Sequence, residues 1–142
     1  MSSSLAASPR VALVTGAARG IGLAIVERLT ADGFVVVATH RSSAPPRSAA
    51  HAARWYQIDL TDPAARVELI DDIRHSEGHV SVLVSNAAVL DDRSSLRMRD
   101  QQFSAVLGLN AVAPAHLAEL LVDDMCTAGR GRPALPSSIG GT

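Results

Sequence analysis

The run from Val11 to Gly22 constrains this chain more than any other stretch. A short apolar segment, Val11-Ala12-Leu13-Val14, stops at Thr15 and a turn bearing Gly16, Gly20 and Gly22, and a helical pattern starts at once. Glycines let a chain turn sharply and let a ligand approach backbone N–H groups without meeting a Cβ. The helix that follows offers unpaired donors and the positive end of its dipole. A buried strand, a glycine turn and a helix in this order read as a phosphate-binding element. The bland alternative is a tight strand–helix turn with no ligand.

The bulk properties fit one soluble domain. The chain has 142 residues, 47% of them apolar, which is enough to bury a core. Net charge is −1, so neither a nucleic acid nor an anionic membrane is suggested as a partner. All 13 basic residues are arginine, and there is no lysine. The single cysteine, Cys126, points to a reducing compartment and reads as a packing residue of an apolar helix. Met1–Ser8 lacks the basic start of a secretion signal and reads as a disordered N-terminus. No apolar stretch is read as reaching the ~20 residues that span a bilayer, so the expected location is the cytoplasm. No metal ligands are assigned.

The rest of the chain alternates strand and helix. Val11–Thr15, Phe34–Ala38, Trp55–Asp59 and Val80–Ser85 read as strands. Gly20–Ala31 reads as a helix, with Ile21, Ala24, Ile25, Arg28 and Leu29 at helical spacing and Gly33 as its stop. Arg41–Ala50 contains Pro45 and Pro46 and reads as a loop. Asp62-Pro63 supplies an N-cap and a first-turn proline for a helix running to Ser76, with Val67, Ile70 and Ile73 inward. Two further helices are expected over Ser95–Asn110 and Ala113–Thr127. Continuous apolar strands alternating with helices imply a parallel sheet covered on both faces. The fold class is therefore α/β, a three-layer Rossmann-type sheet of order 3-2-1-4. A fifth strand is doubtful, because Pro133-Ala134-Leu135-Pro136 stands where it should be. Without it, Val80–Ser85 would be an exposed apolar edge inviting aggregation or a partner chain.

The cofactor can be argued from charge. A site for NAD places an acid ~20 residues after the glycines, to accept from the ribose 2′-OH. No acid lies between Gly33 and Ala53; the second strand closes on Thr39-His40-Arg41. Arginine forks onto a 2′-phosphate, and Arg19 in the glycine turn adds a second cation. This favours NADP(H). The plainer reading makes His40 and Arg41 solvated loop residues.

The run Thr15-Gly16-x-x-x-Gly20-Ile21-Gly22 also resembles the TGxxxGxG motif of the short-chain dehydrogenase/reductase family. Further resemblances follow in order and cover nearly the whole chain. Asp59-Leu60-Thr61-Asp62 resembles the stretch after the family's third strand whose acidic residue bonds the adenine. Asn86-Ala87-Ala88 resembles the NAG motif after the fourth, with Ala88 in place of glycine. Asn110 falls at the family's catalytic asparagine, and Ser138 resembles its catalytic serine. Ala38–Pro45 and Val82–Ala87 look like the β-ketoacyl-acyl-carrier-protein reductases within it. The resemblance implies an NADP-dependent oxidoreductase of fatty acid biosynthesis, reducing a 3-oxoacyl thioester or a similar carbonyl. It also implies homo-oligomers packed through the two helices Ser95–Asn110 and Ala113–Thr127.

Reduction of a ketone needs a proton donor within hydrogen-bond reach of its oxygen. In the resembled family the donor is the tyrosine of a YxxxK motif beyond the serine. Here the sequence stops four residues after Ser138, and its one tyrosine, Tyr56, lies in the third strand. Residues 9–142 are thus expected to form an incomplete NADP-binding domain, truncated before that motif, with weak NADPH binding and no turnover alone. Two alternatives stand beside this: a catalytically inactive nucleotide-binding or interaction module left by a truncated gene, and a fragment completed by a separate polypeptide.

Overall fold

The computed structural model describes residues 9–88, 99–127, 129 and 131–134. Five parallel strands, β1 (Val11–Val14), β2 (Val35–His40), β3 (Arg54–Gln57), β4 (Val80–Val84) and β5 (Arg132–Ala134), form one sheet of order β3-β2-β1-β4-β5. The expected 3-2-1-4 core is present. β1 sits centrally, paired with β2 from Val11↔Val35 to Val14↔Ala38 and with β4 from Val11↔Val80 to Val14↔Val84. All four of its residues are buried, as a strand covered on both faces requires.

Successive side chains of the strands enter different cores. Val11, Leu13, Val37 and Leu83 face one side, where α2 (Pro63–Ser76) and α4 (Ala113–Thr127) supply Leu69, Ile70, Ile73, Leu117 and Leu121. Val14, Val36, Ala38 and Val84 face the other side, where α1 (Gly20–Ala31) supplies Val26, with Ile25 and Leu29 against it. The inward residues of α1 are therefore Gly22, Ile25, Val26 and Leu29, whereas Ile21 is 69% exposed. In α2 the inward set is Arg66, Leu69, Ile70 and Ile73, and Val67 lies outside it. The start of α2 is as the sequence predicts. Asp62 Oδ1 accepts from the Ala64 amide at 3.0 Å, and Pro63 occupies the first turn.

Three expectations are corrected. First, β5 forms. It pairs with β4 through Val82↔Arg132, Leu83↔Pro133 and Val84↔Ala134, and the Ser85 amide donates to the Ala134 carbonyl at 2.9 Å. That bond aims the backbone groups of Ala134 at β4, so those of Pro133 point off the sheet. The missing proline N–H thus falls at a register position with no ladder bond to lose. β4 is consequently covered, and the outer edge is a three-residue strand carrying a proline, a form that resists edge-to-edge pairing.

Second, the two C-terminal helices are one. α3 (Asp100–Leu107) passes through a π-helical turn, Gly108–Val112, directly into α4. Residues 95–98, expected to begin α3, lie outside the described residues. By length and composition the joined helix, Asp100–Thr127, is long and apolar enough to cross a membrane, contrary to the expectation from sequence. In the fold, its Leu117 and Leu121 pack against the sheet. Third, Cys126 is exposed rather than packed.

An ion pair joins α2 to α4. Arg74 Nε donates to Asp124 Oδ1 and Oδ2 at 3.1 and 3.0 Å, and Nη2 donates to the Leu120 carbonyl at 2.7 Å. The Asp124 side chain is 5% exposed, with His79 Nδ1 at 3.4 Å from Oδ1. Its carboxylate raises the pKa of Arg74 further.

Two outcomes follow. Arg74→Met strands a buried carboxylate and is expected to lower unfolding stability by roughly 2–4 kcal/mol in chemical denaturation, while Arg74→Met with Asp124→Leu recovers most of it. Pro133→Ala is expected to change stability by less than about 0.5 kcal/mol. Ala134→Pro, at the inward register, is expected to cost about 1–3 kcal/mol and to speed amide exchange across Val82–Ser85.

Candidate functional site

The C-terminal ends of β1, β2 and β4 open into a cleft of about 510 Å³. It lies where the chain order reverses, because β2 and β3 extend from one side of β1 and β4 from the other. Such switch points are where open parallel sheets bind ligands.

The turn after β1 is held from beneath. Thr15 is 1% exposed; its amide donates to the Val84 carbonyl at 3.0 Å. Its Oγ1 accepts from the amides of Asn86 at 3.0 Å and Ala87 at 3.1 Å. Asn86 Nδ2 returns a bond to the Gly16 carbonyl at 3.0 Å. The Ala17 amide donates to the Thr39 carbonyl at 2.9 Å, and the Gly16 amide to Thr39 Oγ1 at 3.3 Å. The two neighbouring strands, β2 and β4 with the segment after it, thus satisfy the turn's own polar groups.

Close contact explains two of the glycines. A Cβ on Gly16 would lie 2.6 Å from Ala87 Cα, and one on Gly22 would lie 2.5 Å from Asn86 Nδ2. Gly20 differs: its φ of +60° demands glycine, yet nothing lies within 4 Å of its missing Cβ. The turn is therefore open on the cleft side. α1 begins there with no side-chain cap from Arg19 and no acid in its first turn. Leu23 is the first residue to bond back, to the Arg19 carbonyl at 3.3 Å. The amides of residues 20–22 precede the helical ladder and suit an anion.

The cleft walls carry charge. Arg19, His40 and Arg41 line it, with Ser42 and Ser43 beyond β2. Gln57 Nε2 donates to the Arg41 carbonyl at 3.0 Å, fixing the loop start against β3. Trp55 Nε1 holds the far part of that loop through the Ala49 carbonyl at 3.2 Å. The Nδ1 atom of His40 is buried without a hydrogen-bond partner among the described residues. Across the cleft, Asp59 Oδ1 accepts from Thr61 Oγ1 at 2.6 Å and from the Thr61 amide at 3.0 Å. These bonds, hydroxyl first, and then the charge of Arg41 hold the Asp59 pKa below the usual carboxylate value against some desolvation.

Of the residues singled out from sequence, Gly16, Arg19, Gly20, Ile21, His40, Arg41, Asp59, Leu60, Asn86, Ala87 and Ala88 line the cleft. Thr15 and Gly22 do not; they support the turn from below. Asn110 sits in the π turn, whose neighbour Leu109 is the residue that lines the cleft. Ser138 lies outside the described residues. Sequence reasoning missed Ala18, Thr39, Ser42, Ser43, Ile58 and Leu109. All but Ser43 directly flank a residue it named, and Ser43 lies one position further along. Tyr56 lies outside this cleft, in a second one, with its hydroxyl donating to Asp72 Oδ2. Burial and then that carboxylate raise its pKa.

Comparison with known proteins agrees with this geometry. The chain is 35% identical over 133 residues to the 3-oxoacyl-(acyl-carrier-protein) reductase MabA of Mycobacterium tuberculosis, covering 94% of this chain and 52% of that one. It is 31% identical over 137 residues to the 3-oxoacyl-(acyl-carrier-protein) reductase FabG of Escherichia coli, covering 94% and 56%. The chain thus spans about half the length of the curated relatives it matches. Among solved structures, a metagenomic short-chain oxidoreductase in complex with NADP aligns with TM-score 0.85 and 31% identity, over 95% of this chain and 64% of that one. L-Sorbose reductase from Gluconobacter frateurii, complexed with NADPH and L-sorbose, aligns with TM-score 0.85 and 27% identity, over 93% and 53%. The short chain dehydrogenase family profile matches residues 10–142. A glycine turn locked to the end of β4, opening a helix into a switch-point cleft, is thus shared ancestry rather than coincidence: the chain belongs to the short-chain dehydrogenase family.

Proposed function

We propose that residues 9–142 form the NADP(H)-binding part of a cytoplasmic oxidoreductase that acts on a carbonyl, with a 3-oxoacyl thioester as the substrate class. One observation carries the cofactor choice. The open, uncapped start of α1 shares a cleft with Arg19, His40 and Arg41, while β2 ends without an acid. A dinucleotide needs the first; a 2′-phosphate needs the second. The cleft volume lies within the ~300–1,000 Å³ range of small-molecule sites. The names of the MabA and FabG relatives favour the thioester substrate.

In this reading the amides of residues 20–22 hold the diphosphate. Arg41 forks onto the 2′-phosphate, with Arg19 and His40 beside it. Asp59, kept ionised by Thr61, and Leu60 bound the adenine. Asn86, Ala87 and Ala88 flank the next part of the cofactor. Bound there, NADPH supplies a hydride. Asn110 and Ser138 are the residues assigned to proton handling and substrate orientation. The outward side of the α3–α4 helix exposes Phe103, Leu107, Val112 and Val122, which supports a homo-oligomer or a complementing chain.

A second reading, an inactive nucleotide-binding or interaction module, is favoured by Tyr56. It is the one tyrosine among these 142 residues, its hydroxyl is committed to Asp72 outside the cleft, and no lysine is present to assist it.

Two measurements test these readings. In calorimetric titration NADPH is expected to bind at least about ten-fold more tightly than NADH, and Arg41→Asp to abolish that preference; equal affinities in the unaltered chain would refute the 2′-phosphate assignment. With a 3-oxoacyl thioester present, the 142-residue polypeptide is expected to cause no loss of NADPH absorbance. Turnover by it would eliminate the inactive reading.

A further inference from the structure

A buried cation stands directly behind the adenine wall of the cleft. Arg66, on α2, is 3% exposed and forms no ion pair among the described residues. Two neutral acceptors hold it instead. Nη1 donates to the Leu60 carbonyl at 2.6 Å, and Nε donates to His116 Nδ1 at 2.9 Å. The second bond requires a neutral imidazole at His116 with its proton on Nε2.

The two acceptors belong to different elements. Leu60 follows Asp59 in the β3–α2 connection, and both line the cleft. His116 lies on α4, about two turns beyond Leu109, which also lines the cleft. One guanidinium therefore spans both supports. Burying a cation on neutral acceptors is costly, and an apolar side chain beside Leu69 and Ile70 would avoid that cost. The position repays it only if the geometry it imposes is used.

We propose that Arg66, clasped between Leu60 and His116, is a positioning residue that fixes the Asp59–Leu60 wall relative to the helix carrying Leu109, and so sets the adenosine subsite. This rests on the nucleotide reading of the cleft. Arg66 touches no ligand itself; it acts through the Leu60 carbonyl.

The test uses the 142-residue chain and adenosine 2′,5′-bisphosphate as the probe of the adenosine half. Arg66→Met is expected to weaken its binding about ten-fold, and Arg66→Lys, which keeps a donor for Leu60, to restore it to within about three-fold. Arg66→Met with His116→Leu fills the seam with apolar side chains. It is expected to regain thermal stability while binding stays weak, which a purely structural role would not produce. This double variant also carries the test if Arg66→Met alone does not fold. Hydrogen exchange across Ile58–Asp62, measured without ligand, is expected to quicken in the folded Met variants. Parental affinity in a folded Arg66→Met or double variant overturns the proposal. If the parent chain binds no bisphosphate, the nucleotide reading falls. The clasp is then judged on exchange alone, where unchanged protection across Ile58–Asp62 overturns it.

Discussion

The backbone of Gly16 lies against the backbone of Ala87 at a separation that admits no Cβ, and the rest of the site follows from that contact. It brings the turn after β1 and the segment after β4 close enough for one hydroxyl, that of Thr15, to satisfy two amides. Asn86 then has the Gly16 carbonyl within reach, and Gly22 must be bare so that the Asn86 side chain can pass. With the internal polar groups of the turn consumed, the unpaired donors that remain are those opening α1, and they face the cleft. A side chain at residue 16 or 22 would separate β1 from β4 at their ends and disperse those donors.

How much of this could be read from residues alone depended on whether the cause was local. Asp62-Pro63 fixes the start of α2 within two residues, so that boundary was legible. The glycine turn and its cleft were legible for the same reason. β5 was not. Whether a proline is tolerated depends on which way its nitrogen faces, and that is set by the register against β4, a partner some 50 residues earlier in the chain. The join of α3 to α4 was hidden because a π turn has no residue signature of its own. Val67 was misread as inward because its neighbour Arg66 takes that place, and a buried arginine is what a hydrophobic-periodicity argument assigns to solvent. Thr15 and Gly22 match the motif as well as Gly20 does, yet hold the turn rather than face the cleft. A motif records that residues are needed together without recording which of them touches a ligand.

The seam between α2 and α4 shows two ways of placing arginine in a core. Arg74 meets a carboxylate, gains charge-assisted bonds and keeps part of its side chain in water. Arg66 meets no carboxylate among the described residues and is almost wholly out of water. Both reach from α2 to α4, so the helix pair is pinned at two heights. Arg74 pins the end remote from the cleft, near the start of β4, where His79 adds to the cluster. Arg66 pins the end at the cleft.

Charge inside the cleft bears on ligand choice more directly than the net charge of the chain. Arg41 is close enough to Asp59 to help hold that carboxylate ionised. In the absence of a phosphorylated ribose, Asp59 and solvent are what the Arg41 guanidinium has to face across the cleft. A 2′-hydroxyl offers it a weak acceptor and gives it little reason to leave them. A 2′-phosphate offers up to two charges and several oxygens, two of which the planar guanidinium can fork onto. Asp59 does not compete strongly, because both bonds from Thr61 already fall on its Oδ1 and stabilise its charge locally. In the proposed NADP(H) reading, discrimination between phosphorylated and unphosphorylated dinucleotides rests on both residues. Arg41 supplies the attraction, and Asp59, satisfied by Thr61, leaves Arg41 available to turn toward the phosphate.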